Sequence, residues 1–158
     1  MATAALSVDN QLKAAEQSCA GRGAQLTALR RQVLRLILES DAPIGAYALL
    51  DRLKADRPGA APPTIYRALD FLQEQGLVHK VERLNAFIGC VDAGHGHGHG
   101  GDHDHPHQFL ICRSCGATEE LTDHAVADAV AAAAARAGFA AARTTVEVEG
   151  TCARCAAG

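Results

Sequence analysis

Tryptophan is absent from this 158-residue chain, and two tyrosines and four phenylalanines make up its aromatic content. Alanine and glycine supply much of the apolar fraction. Cores built that way are thin, and small domains of this kind usually need a metal, disulfides or a partner subunit. No apolar run approaches the roughly 18 residues of a membrane helix. The N-terminal stretch Met1–Asp9 lacks the charged and apolar regions of a signal peptide, so the chain reads as soluble and cytoplasmic, with no membrane partner. In that compartment paired cysteines serve as metal ligands more often than as disulfides. Also missing are a Gly-rich phosphate loop, a G-x-S-x-G elbow and an H-E-x-x-H zinc motif. Those absences count against a hydrolase, and the chain is not expected to be an enzyme.

What is present is unevenly spread. Net charge is −3, yet residues 1–91 carry 11 Lys/Arg against 9 Asp/Glu, while residues 92–158 carry 4 against 9. Only the first half is suited to approach a phosphate backbone. Its apolar residues repeat with helical period. Leu12, Ala15 and Cys19 mark one segment from Val8 to Cys19. Leu29, Val33, Leu36 and Ile37 mark a second, with Thr27 as N-cap, running to about Glu39. Ala46, Leu49, Leu50 and Leu53 mark a third over 45–56. Pro62-Pro63-Thr64 opens a fourth, to Gln75, with Ile65, Ala68, Leu69 and Leu72 inward and Tyr66, Arg67, Asp70 and Gln73 outward. Gly76 closes it. Leu77–Glu82 and Asn85–Cys90 then read as two short strands. Helices followed by a hairpin form the winged helix-turn-helix pattern, with the last helix placed for the major groove.

Residues 92–107 are a Gly/His/Asp stretch without apolar period and read as a hinge loop. Beyond it, strands are expected at 108–112, 117–121 and 143–149. Thr122 or Asp123 should cap an Ala-rich helix to about Ala137, with Val126, Ala129, Val130 and Ala133 on its inner side. The expected fold class is α+β: a winged-helix domain over 1–91, the loop over 92–107, and a small α/β domain over 108–158.

Two constellations carry chemistry. Cys112-x2-Cys115 and Cys152-x2-Cys155 are knuckles that each aim two thiolates at one point. Together they complete a closed, tetrahedral all-sulfur shell suited to structural zinc. A helix and a strand must lie between them. The second set is looser: His79, Cys90, the run His95, His97, His99, His103, His105 and His107, and Glu119 or Glu120. Singly, His79 reads as a surface strand residue, Cys90 as a small buried apolar group, and the His run as a metal-scavenging tract. Taken together, a thiolate among imidazoles and a carboxylate suits zinc better than iron or manganese.

Four segments recur in an order that resembles the ferric uptake regulator (Fur) family. They are Leu26-Thr27-x2-Arg30, Pro63-Thr64-Ile65-Tyr66-Arg67-Ala68-Leu69, Gly76-Leu77-Val78-His79-Lys80, and Phe109-x2-Cys112-x2-Cys115-Gly116. His79-Lys80-Val81-Glu82 with Cys90 is most similar to the zinc-responsive branch of that family. The resemblance implies a homodimeric, zinc-dependent repressor that binds double-stranded operator DNA and controls zinc uptake genes. It implies one structural zinc per subunit at Cys112, Cys115, Cys152 and Cys155, and at least one regulatory zinc at His79, Cys90, His105 and Glu120. His103 and His107 are alternative or additional ligands, since the Gly-His loop is longer than usual in that branch. Tyr47, Thr64, Tyr66 and Arg67 are the implied DNA contacts. Asp51, with Lys54 where Arg is commoner, matches a contact between two dimers sharing one operator. The rival readings are an iron- or peroxide-sensing member of the same family, and a zinc storage or chaperone protein built on the His run.

Overall fold

Residues 7–90 and 107–158 are described by a computed structural model, and the chain divides into two units, Met1–Gly98 and His99–Gly158. The hinge loop expected at 92–107, with His103 and His105, lies outside the described residues except for His107.

In the first unit each helix forms where its apolar stripe and its cap agree. Ser7 accepts a hydrogen bond from the Asn10 amide and starts α1 (Val8–Gly21), which buries Leu12, Ala15 and Cys19. Thr27 Oγ1 accepts from the Arg30 amide at 3.4 Å and caps α2 (Ala28–Leu38). The buried stripe of α2 is Val33, Leu34 and Ile37, with Leu29 and Leu36 only partly covered. Leu34 thus takes the place expected for Leu36, because it stands one turn before Ile37 and beside Val33. α3 (Ala46–Asp56) and α4 (Pro62–Glu74) bury the stripes expected of them. Gln73 is half-buried rather than outward, its amide reaching the Leu69 carbonyl at 3.4 Å.

The exit from α4 sets the direction of the wing. Gly76 has φ +67, and the Gly76 and Leu77 amides donate to the carbonyls of Gln73 and Leu72, both at 2.9 Å. This double capping by a left-handed glycine ends the helix and turns the chain. β1 (Val78–Val81) and β2 (Ala86–Gly89) follow as an antiparallel hairpin, with His79 opposite Ile88 and Lys80 opposite Phe87. A 3₁₀ turn over Glu82–Leu84 and left-handed Asn85 (φ 46) join them, so the strands are shorter than the pattern suggested. The second edge of β2 is taken by Ile44, which bridges to Phe87.

The second unit is a three-stranded sheet of β3 (His107–Cys112), β4 (Thr118–Leu121) and β5 (Thr145–Gly150) in the order β4-β3-β5. β4 is antiparallel to β3 and β5 is parallel to it. The parallel return requires a crossover, supplied by α5 (His124–Arg136), which Asp123 rather than Thr122 caps through the Ala125 and Val126 amides. A short helix, α6 (Ala153–Ala156), ends the chain. No residue of α5 is buried; Val126, Val130 and Ala134 are half-covered, while Ala129 and Ala133, expected inward, are exposed.

The first unit thus has the core and the second has little. Leu72, fully buried in the helical core, offers a direct check. Leu72→Ala should lower the unfolding free energy of the first unit by about 2–5 kcal/mol, read by denaturant melts followed through helical circular dichroism.

Candidate metal centres and nucleic-acid face

The parallel pairing of β3 with β5 brings the two cysteine knuckles together. Parallel strands end on the same edge of a sheet, and here Cys112, the last residue of β3, pairs with Gly150, the last of β5. Cys152 follows two residues later and stands at the N-cap of α6, with Cys155 in its first turn. Gly116, at φ +74, closes the first knuckle, where its amide donates to the Cys112 carbonyl at 2.9 Å. The Arg113 amide ties that knuckle to the Gly150 carbonyl at 2.9 Å. The four sulfur atoms then lie within 4.8 Å of one another, with Cys115 Sγ and Cys152 Sγ 3.8 Å apart. Four converging thiols with no carboxylate or imidazole among them fit a closed tetrahedral zinc shell.

The electrostatics prepare this site. The Cys152 amide donates to Cys112 Sγ at 3.3 Å, and with the Cys115 amide it lowers the Cys112 thiol to about 6. Cys152 is also lowered, chiefly by the Cys155 backbone amide. Cys155, pressed by the Cys152 and Cys115 sulfurs, is pushed up to about 12. A cluster of this kind favours thiolate at Cys112 and a proton on Cys155 until a cation displaces it.

A second pair sits on the wing. The Cys90 amide donates to the Leu77 carbonyl at 3.0 Å, extending the β1–β2 ladder by one position. With His79 opposite Ile88, this makes Cys90 and His79 diagonal neighbours on one face of the hairpin. His79 is buried, Cys90 half-buried, and their ligand atoms lie within 4.8 Å of each other. In the second unit, Glu120 stands on β4 with its carboxylate mostly covered, 3.8 Å from His107 Nδ1. Glu119, the alternative carboxylate, alternates onto the other face of β4 beside Leu110.

Tyr47, in the first turn of α3, is 69% exposed, and Tyr66 on α4 is 45% exposed. Arg67 is exposed beside Tyr66, and Thr64 is half-buried in the opening turn of α4. Asp51 and Lys54 are both exposed, and no ion pair joins them, so the local i,i+3 pairing that would make them bland is missing. Two contacts in this unit have no sequence signature of their own. The Arg30 guanidinium lies 3.7 Å over the Phe71 ring, and the Ile44–Phe87 bridge joins the wing to the entry of α3. Aromatic and arginine residues at unrelated positions, or two backbone amides, carry no spacing that would have marked them.

Packed helices ending in a two-stranded wing define the winged helix-turn-helix class, and the four-cysteine centre adds a metal-binding unit to it. The profile of the Ferric uptake regulator family matches residues 21–149, and the chain belongs to that family. It is 44% identical over 144 residues to the Zinc uptake regulation protein of Escherichia coli, covering 91% of this chain and 80% of that protein. Among solved structures, a zinc uptake regulator complexed with zinc and DNA aligns with a TM-score of 0.86 at 41% identity, over 96% of this chain and 97% of the other. The holo form of XcZur aligns with a TM-score of 0.80 at 44% identity, over 93% and 97% respectively.

The thiol electrostatics set a sign for pH. Zinc binding at the four-cysteine site should strengthen as pH rises, because the thiols that still hold protons release them on ligation. Cys112 is already thiolate above about pH 6, so the slope should steepen below that pH as its proton also has to be displaced. Competition with a chromophoric chelator across about pH 5 to 8, a span that brackets the Cys112 titration, reads this directly. A flat profile would contradict it.

Proposed function

We propose that this chain is a zinc-responsive transcriptional repressor that binds operator DNA as a homodimer and controls zinc uptake genes. The observation that carries this reading is the second metal-competent pair, His79 and Cys90, on the wing of a winged-helix unit and separate from the four-cysteine centre. The kinship supports it: the relatives named above are described as regulators of zinc uptake, one of them in complex with zinc and DNA. The four-cysteine zinc is structural, and the regulatory ligands are His79, Cys90, Glu120 and a loop histidine. His105 is the first choice for the loop ligand, and His103 and His107 are the alternatives.

A thiolate beside imidazoles favours zinc over the harder iron and manganese ions. A cation bound there would supply a divalent tie among these side chains. The protein residues do the rest: His79 and Cys90 hold adjacent rungs of the wing, while α4 presents Arg67 and Tyr66 to the major groove. All four base-pair orientations are distinguishable there, and one arginine bidentate to guanine O6 and N7 discriminates by about 1–3 kcal/mol. Linkage then makes operator DNA tighten zinc at the regulatory site by the same factor that zinc tightens DNA.

Dimer formation is supported by the second unit itself. β5 is an edge strand, and Leu110 and Val148, paired across β3 and β5, are 40% and 51% exposed. Isologous pairing of this sheet face and edge with its own copy would give a twofold dimer, the commonest symmetry among soluble oligomers. Asp51 and Lys54, exposed on α3, are assigned to contact between two dimers on one operator.

The test is a titration of operator binding against buffered free zinc, with the four-cysteine site kept loaded. Wild type should bind only above a threshold of free zinc, and Cys90→Ser should lose the response while keeping its structural zinc. A zinc response unchanged in Cys90→Ser would refute the regulatory site and favour an iron- or peroxide-sensing role. Arg67→Ala should weaken specific binding by about 1–3 kcal/mol without changing zinc stoichiometry; no effect on any DNA would favour zinc storage.

A further inference from the structure

The wing strand β2 connects two groups whose roles differ. At one end is Cys90, which with His79 forms the metal-competent pair. At its middle is Phe87, whose backbone groups point away from β1 because Lys80↔Phe87 is a position at which that ladder makes no hydrogen bond. Both are taken up by Ile44: its amide donates to the Phe87 carbonyl at 3.0 Å, and the Phe87 amide donates back at 2.9 Å. Ile44 and Phe87 are each only 5% exposed, so these four groups would be costly to leave unpaired.

Ile44 is followed at once by Gly45, the N-cap of α3, whose carbonyl accepts the first helical bond from Leu49 at 3.0 Å. A Cβ added to Gly45 would come within 3.8 Å of the carbonyl oxygen of Asn85, in the turn that begins β2. Tyr47 stands two residues further on. At the other end of β2, a Cβ on Gly89 would meet Leu38 Cδ2 at 2.5 Å, so the strand lies directly against the end of α2. β2 is therefore held between α2 and the entry of α3, and Cys90, whose amide donates to the Leu77 carbonyl, directly follows its last residue. A four-residue hairpin is marginal by itself in water, so what fixes one end of β2 bears on the bridge at its middle. Cys90 and Phe87 are about 10 Å apart at about 3.3 Å per residue.

We infer that Ile44 and Phe87 are positioning residues for DNA recognition: their paired backbone hydrogen bonds carry the order imposed by metal ligation at His79 and Cys90 to the first turn of α3, where Tyr47 is presented. This rests on the regulatory site and the Tyr47 contact proposed above. It adds a route inside the first unit by which the metal state alters the reading surface. The route is contiguous: ligand pair, β2, bridge, N-cap, Tyr47. Its bistable element is the bridge, closed when β2 is pinned and open when its end frays.

Amide hydrogen exchange on the full-length wild-type chain tests this without a substitution. With the four-cysteine site loaded throughout, raising buffered zinc through the regulatory range should slow exchange of the Ile44 and Phe87 amides roughly tenfold, together with the Cys90 amide. If the Cys90 amide slows while Ile44 and Phe87 do not, the bridge is not the route and the inference is overturned. If none of the three responds and Cys90→Ser keeps the zinc response, the regulatory site itself is wrong, and the inference falls with it.

A coupling measurement separates this role from a merely structural one. The ratio of zinc-free to zinc-loaded Kd is measured for a duplex selected from a random library by the zinc-loaded chain. Ile44→Pro removes the donor from one bridge bond and should reduce that ratio roughly tenfold, while Ile44→Val should retain it. A structural defect alone would weaken both Kd values equally and leave the ratio unchanged, which would overturn the proposal.

Discussion

The second unit depends on the parallel register of β3 with β5. Its buried residues among those described are Gln108, Phe109, Ile111 and Cys112, all on β3, and α5 buries none. A sheet with so little core cannot be held by apolar burial alone, and small units of this kind rely on a metal or a partner. The register supplies the first of these supports. By ending β3 and β5 on the same edge it places Cys112 beside Cys152, so that a metal held by the four sulfurs would tie the two strands together. The open edge and exposed apolar face of β5 leave room for the second support, another copy of the chain.

The first unit is organised differently, and that difference suits its part in the function. Its helices interlock through apolar stripes and are joined on the surface by Arg31–Glu16 and Arg35–Asp9 pairs at 2.7 and 2.6 Å. Exposed pairs of this kind contribute little to stability, and the helical core itself holds α3 and α4 in place. The wing is the weak element, two four-residue strands around a 3₁₀ turn. A ligand pair placed on the weakest element of an otherwise rigid unit acts where order has most to gain. That logic is shared by the proposed regulatory site and by the bridge that joins β2 to α3.

Much of this architecture was legible in residue spacing. Thr27, Pro62 and Gly76 marked helix ends through capping chemistry that is local, and the stripes of α3 and α4 were read residue for residue. The reading was less accurate where burial depends on distant partners. Leu34 replaced Leu36 in the core of α2. Ala129 and Ala133 turned outward because an alanine-rich helix has nearly the same hydrophobicity on every side and gives no stripe to read. Asn85 in the left-handed region and the 3₁₀ turn before it shortened both wing strands, since neither leaves a period in the sequence. His103 and His105 lie outside the described residues, so the choice of loop ligand rests on the chemistry of the donors.

By itself, the sequence determined which atoms can bind metal. Two Cys-x2-Cys pairs, one wing histidine and one wing cysteine are specified by residue type and short spacing, and ligand chemistry follows from those alone. The tertiary structure decided which of these groups meet. It joined the two knuckles through a parallel strand pairing and set His79 diagonal to Cys90 through an antiparallel one. It also linked the wing to α3 through the backbone amides of Ile44 and Phe87. Contacts of that last kind are made by groups every residue possesses, so no side-chain pattern announces them, and only the path of the chain can bring them together.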